Sequence, residues 1–201
     1  MSRTAGRRVV VLDRDGTIMI DRDYLDDPAQ LEFLPQAAQG LRLLHERGHR
    51  LVVITNQSGV GRGRFSLARL QEINARFIAM VERAGARIAG LYYCPHRPDE
   101  DCACRKPRTK LLEDAAAELG FAAADAVVIG DKASDVEFGR RAGALTMLVS
   151  PNGLTREGTP STADQLPVTA ASFNAASAVC GSGAASSIGR PASDRAKSRK
   201  T

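Results

Sequence analysis

Short apolar runs alternate along the chain with segments whose apolar residues recur at helical spacing. The runs are rich in Val, Ile and Leu and too short for helices, which is typical of strands buried on both faces of a parallel sheet. We predict five such strands, at residues 8–12, 51–54, 88–93, 126–129 and 145–149.

Four helices are predicted between these strands. Pro35 begins the first, and Ser66, a good N-cap residue, precedes the longest. Thr109 is the predicted cap of the third, and Ser134 with Glu137 matches a capping box for the fourth. Strands that alternate with amphipathic helices indicate a doubly wound α/β sheet, mainly parallel, whose functional site lies at the carboxyl ends of the strands.

The composition changes near the end of the predicted sheet. Residues 156–201 are dominated by Ala, Ser, Thr, Gly and Pro and carry most of the net charge of +5. We therefore predict one domain, residues 1–155, followed by a low-complexity, mostly disordered tail, 156–201. The chain shows neither a basic stripe with interleaved aromatics nor a long apolar run, so we expect no nucleic-acid partner, no membrane span and a cytoplasmic location.

Polar side chains follow the predicted strands at their carboxyl ends. Asp13 and Asp15 come directly after the first strand, where one carboxylate can attack phosphorus and the other can act as acid and base. Thr55 follows the second strand and can hold a phosphoryl oxygen. Asp131 follows the fourth, with Asp135 one helical turn later, and can hold Mg²⁺. Taken singly, each is also typical of a solvated turn or a helix cap.

A cysteine-rich loop follows the third strand. Cys94, His96, Cys102 and Cys104 offer three thiolates and one imidazole, which are the usual number and kind of ligands for structural zinc. In a reducing cytosol such clustering favours a metal over disulfides. Cys180 lies apart, in the tail, and we interpret it as a bystander.

Two cations, Arg105 and Lys106, come directly after this loop. A lysine that is held in place can neutralise phosphoryl charge, and an arginine can bind a second anion with two parallel hydrogen bonds. A solvated basic turn is the alternative. The predicted strand ends and this loop together offer the nucleophile, hydroxyl, cation and metal carboxylate that phosphoryl transfer needs.

The ordered motifs resemble those of the haloacid dehalogenase-like phosphatases. The matching residues are Asp13-x-Asp15-Gly16-Thr17, Thr55-Asn56, Lys106 and Gly130-Asp131. The Cys-Pro-His and Cys-x-Cys-Arg-Lys-Pro loop narrows the resemblance to the branch that contains heptose 1,7-bisphosphate 7-phosphatases and histidinol-phosphatases. The resemblance covers roughly residues 8–150. It implies a Rossmann-like fold with a zinc-binding loop and no large cap domain.

The resemblance also implies a role for each matching residue. Asp13 is the expected nucleophile, Asp15 the acid and base, and Thr55 and Lys106 the groups that bind phosphoryl oxygens. Mg²⁺ is expected on the Asp13 carboxylate, the Asp15 backbone carbonyl and Asp131. The rest of the substrate is expected to contact Asp21, Arg22, Asp23, Tyr24, Asn56, Gln57, Ser58, Arg105 and Lys132.

Within this branch the resemblance favours a heptose bisphosphate phosphatase of nucleotide-activated heptose synthesis, for lipopolysaccharide core or surface glycans. Histidinol-phosphatases tend to carry Asp where Ser58 stands. The short segment between His96 and Cys102 is similar to the histidinol type, so histidinol phosphate is the alternative substrate.

An inactive zinc-stabilised binding module is a further alternative, and the presence of both Asp13 and Asp15 argues against it. We expect a monomer whose partner is a phosphorylated small molecule.

Overall fold

The computed structural model describes residues 8–150 and 153–156. Its centre is one six-stranded sheet in the order β3-β2-β1-β4-β5-β6, and every neighbouring pair is parallel except β5 and β6. The strands are β1 Val9–Leu12, β2 Arg50–Asn56, β3 Ile88–Cys94, β4 Val127–Gly130, β5 Leu145–Ser150 and β6 Gly153–Arg156. The doubly wound sheet predicted from the sequence is thus confirmed.

Helices cover both faces of this sheet. Successive side chains of β1 point to opposite faces, and each face packs against a different pair of helices. Val10 and Leu12 belong to a core packed with residues of α1 and α3, whereas Val9 and Val11 belong to a second core with residues of α4 and α5. Because both faces of the strand are buried, its sequence is continuously apolar. The helices are α1 Ala37–Glu46, α2 Ser58–Gly61, α3 Leu67–Arg83, α4 Lys110–Leu119 and α5 Ala133–Arg141.

Two predicted helix starts are wrong. The first helix begins at Ala37 rather than Pro35, because Gln36 adopts a left-handed conformation (φ 65°) immediately before it. The predicted capping box of Ser134 and Glu137 does not form, since Ser134 already lies inside α5. Asp135 Oδ2 instead accepts a hydrogen bond from the Lys132 N–H at 3.1 Å.

The other two predicted caps stand where expected. The Ser66 Oγ accepts from the Arg69 N–H at 3.1 Å and caps α3. Thr109 occupies the N-cap position of α4, but its hydroxyl donates to Glu113 Oε1 at 2.6 Å instead of accepting from the backbone. The Thr109 side chain therefore does not cap the backbone of α4.

Four short elements were not predicted, and two of them are single 3-10 turns, Pro28–Gln30 and Ala123–Asp125. The four-residue helix α2 follows β2 directly, and β6 pairs antiparallel with β5 and ends at Arg156. The rest of the predicted tail lies outside the described residues, so both the domain boundary at 155 and the disorder beyond it stay predictions. Across the described part of the chain, every helix is too short or too polar to cross a membrane.

Candidate active site

The carboxyl ends of β1, β2 and β4 lie at one edge of the sheet. Asp13 and Asp131 directly follow β1 and β4, and Thr55 is the second-last residue of β2. The segment after β3 brings Lys106 to the same edge. The Lys106 Nζ lies 2.8 Å from Asp13 Oδ1 and donates to the Ile54 carbonyl, also at 2.8 Å. The parallel topology therefore brings together side chains that are 93 residues apart in the sequence.

The Lys106 ammonium is buried between two carboxylates. Its side chain is 3% exposed, and its Nζ lies 2.6 Å from Asp135 Oδ1 in addition to its contact with Asp13. Burial opposes the charge, but the two carboxylates outweigh burial and raise the pKa of Lys106. Asn56 fixes the lysine backbone, because its Oδ1 accepts from the Lys106 N–H at 3.1 Å. The site thus contains a permanent, oriented positive charge beside the Asp13 oxygen.

Asp131 lies close to the two carboxylates that bind Lys106. Ligand atoms of Asp13, Asp131 and Asp135 all lie within 4.8 Å of one another. Burial, opposed by Lys132 and reinforced by the charges of Asp13 and Asp135, raises the pKa of Asp131 to about 6. Mutually repelling oxygen ligands at this spacing are stabilised by a hard divalent cation. The donor set therefore fits Mg²⁺.

Gly16 allows the turn after Asp15 to pass close to this cluster. Its φ is 85°, and a Cβ built on it would lie 2.3 Å from Asp131 Oδ2, so only glycine fits without displacement. The next residue, Thr17, donates from its hydroxyl to Asp131 Oδ1 at 3.2 Å. The Asp-x-Asp-Gly-Thr motif thus both bears the acidic residues that follow β1 and orients the carboxylate that follows β4.

An open pocket with a volume of about 260 Å³ lies at this edge. Its lining includes all four predicted catalytic residues and every residue predicted to contact the rest of the substrate. The residues that line it but were not predicted are Arg14, Leu25, Gly59, Phe65, Ser134 and Asp135.

Some of the predicted substrate residues already bind protein groups. Gln57 Nε2 donates to Asp15 Oδ2 at 2.6 Å and to Thr55 Oγ1 at 3.0 Å. At the rim, Lys132 Nζ lies 2.9 Å from Asp21 Oδ2, and this pairing outweighs burial and raises the pKa of Lys132. Polar groups at the floor of the pocket are thus held by one another, whereas the rim carries charges of both signs.

The cysteine-rich loop forms a compact cluster. Cys104 Sγ lies 3.0 Å from Cys94 Sγ and 3.1 Å from His96 Nδ1, and Cys94 Sγ lies 3.6 Å from Cys102 Sγ. Sulfur atoms that share a tetrahedral zinc lie about 3.7 Å apart. The cysteines are free thiols. Burial raises the pKa of the Cys94 thiol, so a bound cation is needed to hold it as a thiolate at neutral pH. The donor set fits one tetrahedral zinc ion.

This cluster is connected to the phosphoryl site by a short piece of chain. Arg105 follows Cys104 directly, and its Nη1 donates to the His96 carbonyl at 3.3 Å. Lys106 comes next and enters the buried site. A loop held at its ligands therefore restricts where both cations can lie.

Sequence reasoning assigned no function to three residues whose side chains hold the polar groups of this site in place. Asp135 was given no role beyond its place one turn after Asp131, yet it binds Lys106. Arg14 and Asn74 bind each other and were given no role at all. Asn74 did leave a signal, because it is a polar residue on the apolar face of α3 that includes Leu70.

Comparisons with known proteins identify similar phosphatases. A family model described as HAD-hydrolase-like matches residues 103–174. The D-glycero-beta-D-manno-heptose-1,7-bisphosphate 7-phosphatase of Haemophilus ducreyi is 34% identical over 162 residues, which cover 76% of this chain and 89% of that protein. The phosphatase of the same name from Pseudomonas putida is 35% identical over 143 residues, covering 71% of this chain and 82% of that one.

Among solved structures, the D,D-heptose 1,7-bisphosphate phosphatase from B. bronchiseptica, complexed with magnesium and phosphate, matches with a TM-score of 0.66. It is 32% identical, and the match covers 70% of this chain and 79% of that one. The chain therefore belongs to the haloacid dehalogenase-like phosphatases, in the branch that contains the heptose bisphosphate phosphatases.

Proposed function

We propose that this protein removes the 7-phosphate of D-glycero-D-manno-heptose 1,7-bisphosphate through a phosphoaspartate on Asp13. The observation that carries the proposal is the buried Lys106 ammonium, which lies 2.8 Å from Asp13 Oδ1 at the carboxyl edge of a parallel sheet. A carboxylate next to a fixed cation is placed to attack a dianionic phosphoryl group that it would otherwise repel.

In the first step, an oxygen of Asp13 bonds to phosphorus and the bond from phosphorus to the sugar oxygen breaks. Asp15 donates its proton to that departing oxygen. Lys106 and the Thr55 hydroxyl bind the phosphoryl oxygens while the charge is redistributed. These four residues line the same pocket.

In the second step, Asp15 accepts a proton from a water molecule whose oxygen attacks the phosphorus. The bond between phosphorus and Asp13 breaks, and inorganic phosphate leaves. Asp15 is thereby returned to its protonated form and Asp13 to its carboxylate, so both are ready for another turnover.

Mg²⁺ would be held by the Asp13 carboxylate, the Asp15 backbone carbonyl and Asp131. When bound, it neutralises phosphoryl charge. The three close carboxylates support this assignment, because they need a second cation besides Lys106. Asp135 completes the acidic group from its position on α5, where it binds Lys106.

Recognition of the remaining substrate falls to the rim of the pocket. Arg105 and Lys132 supply cations for the second phosphate, and the segment from Asp21 to Tyr24 supplies polar groups for the sugar hydroxyls. A second phosphate suits two cations at the rim. Histidinol phosphate has no second phosphate and carries an amine and an imidazole instead, which suit these cations less well. The names of the relatives support the same choice.

The cysteine-rich loop would hold one structural zinc ion on Cys94, His96, Cys102 and Cys104. With four protein ligands the ion has no position for a reacting water. Its function would be to orient Arg105. We also infer a cytoplasmic location, because clustered thiols persist in a reducing compartment. We infer a monomer, because the sequence shows no marked exposed apolar stripe.

A substrate panel tests this function. The purified protein is assayed with Mg²⁺ on both anomers of heptose 1,7-bisphosphate, on histidinol phosphate and on generic sugar phosphates, with phosphorus NMR to identify the phosphate removed. We expect the highest kcat/KM for a heptose bisphosphate, with the 1-phosphate retained. A higher kcat/KM for histidinol phosphate would reassign the substrate, and no phosphate release from any compound would indicate a binding module.

A further inference from the structure

Asp15 is held by three hydrogen bonds from two buried side chains. The guanidinium of Arg14 donates from Nε to Oδ1 at 3.0 Å and from Nη2 to Oδ2 at 2.8 Å. The third bond comes from Gln57 Nε2, which donates to Oδ2. Arg14 is only 1% exposed, and an arginine is rarely buried so completely without a specific partner.

Arg14 is in turn held from behind by α3. Its Nη1 donates to Asn74 Oδ1 at 2.8 Å. Asn74 is buried but does not line the pocket, and it lies beside Ile73 on the apolar face of the helix. An amide in that position is unfavourable unless it is hydrogen-bonded. Its bond to Arg14 therefore accounts for a polar residue where the helical pattern calls for an apolar one.

We propose that Arg14 and Asn74 are positioning residues that orient the Asp15 carboxyl for proton transfer and leave Oδ1 as the oxygen that carries the proton. This inference rests on the proposed phosphatase function. Oδ2 accepts two hydrogen bonds, which fill its lone-pair positions, whereas Oδ1 accepts one and keeps one position. The proton moves from Oδ1 to the departing oxygen as the phosphorus–oxygen bond breaks, and Oδ1 takes a proton from water in the second step.

Loosening this arrangement should affect substrates unequally. A sugar alkoxide needs a proton as it departs, whereas p-nitrophenolate departs without one. The value of kcat/KM reports the steps up to departure of that group, so it excludes the later hydrolysis of the phosphoaspartate. A residue that only stabilises the fold would change kcat/KM for both substrates by the same factor.

The test compares Arg14→Lys and Asn74→Ala with the wild type on p-nitrophenyl phosphate and on the sugar phosphate that the wild type hydrolyses fastest. Ile73→Val, in the same turn of α3, is the control, because it removes buried apolar contacts and no hydrogen bond. We expect kcat/KM for the sugar phosphate to fall about 10- to 100-fold in both variants, part of what general acid–base catalysis contributes. We expect p-nitrophenyl phosphate hydrolysis to change less than about threefold, and the control to be unchanged on both.

Equal losses on the two substrates, or no loss on the sugar phosphate, would overturn the inference. Should Arg14→Lys fail to fold, Asn74→Ala alone gives the same comparison, because it leaves Arg14 in place. A wild type that hydrolyses neither substrate would overturn the proposed function itself and this inference with it. This outcome can be distinguished from failure of the positioning inference alone, because it is measured on the wild type before any variant is made.

Discussion

Replacing Lys106 by Met should destabilise the protein strongly, because it removes the cation between Asp13 and Asp135. All three side chains are at least 94% buried, and the Lys106 Nζ lies 2.8 and 2.6 Å from the two carboxylates. Removing one partner of a buried ion pair costs about 3–5 kcal/mol. A domain of about 150 residues loses about 2–4 °C in Tm per kcal/mol, so the expected decrease is roughly 6–20 °C.

A second substitution separates this cost from catalysis. Asp135→Asn in the Lys106→Met background removes one of the two uncompensated charges, so about 1–3 kcal/mol should be recovered. Activity should not recover, because the phosphoryl group still lacks its lysine; the loss should be about 10²–10³-fold, as for other fixed donors. Burial raises the pKa of Asp135, so the penalty in the single variant should also diminish as the pH falls and this carboxyl takes up a proton.

The assay is urea denaturation with EDTA present, so that no divalent cation replaces the ammonium. Lys110→Met is the matched control, since Lys110 pairs with Asp114 on the surface and such pairs contribute about 0–1 kcal/mol. The reasoning is refuted if Lys106→Met unfolds within about 1 kcal/mol of the wild type. It is also refuted if Asp135→Asn makes that variant still less stable.

Three further predictions concern other parts of the molecule. Asp13→Asn should abolish turnover with the fold retained, and residual activity within about tenfold of the wild type, roughly 1.4 kcal/mol in barrier, would contradict the nucleophile assignment. Cys102→Ser should lower zinc content and activity together in elemental analysis and rate assays, with added Mg²⁺ restoring neither and Cys180→Ser as the unchanged control. Burial lowers the pKa of His49, reinforced by Arg47 and Arg8, so the folded state binds fewer protons there than the unfolded state. Stability measured by denaturation should therefore fall as the pH drops below about 6.5, and His49→Asn should reduce that dependence.

The strands and the strand-end residues could be predicted because a strand buried on both faces has a continuous run of apolar residues. The run from Val9 to Leu12 is apolar at every position, and Asp13 interrupts it at the point where the strand leaves the core. Thr55 and Asp131 interrupt their own runs in the same way. A parallel sheet then brings these polar residues to one edge, regardless of the length or conformation of the loops between the strands.

The supporting contacts could not be predicted, because they join residues with no shared pattern. Asp135 lies in a Ser-Asp-Val-Glu sequence that suggests a helix cap, and only the fold reveals its contact with Lys106. Arg14, between two acidic residues, is indistinguishable in sequence from a solvated turn residue. The strand β6 lies at the end of the predicted domain and ends at the first residue of the predicted tail. Its pairing with β5 depends on a sheet edge that the sequence does not reveal.

Chemical trapping of the phosphoaspartate tests the central claim most directly. Asp15→Asn slows hydrolysis of the intermediate but still allows p-nitrophenolate to depart, so the phosphorylated form should accumulate when p-nitrophenyl phosphate and Mg²⁺ are added. Borohydride reduces an acyl phosphate to an alcohol, which converts the modified aspartate to homoserine. Peptide mass spectrometry should then find homoserine at position 13. Unmodified Asp13 in a sample that has released p-nitrophenolate, or homoserine at another aspartate, would contradict the account.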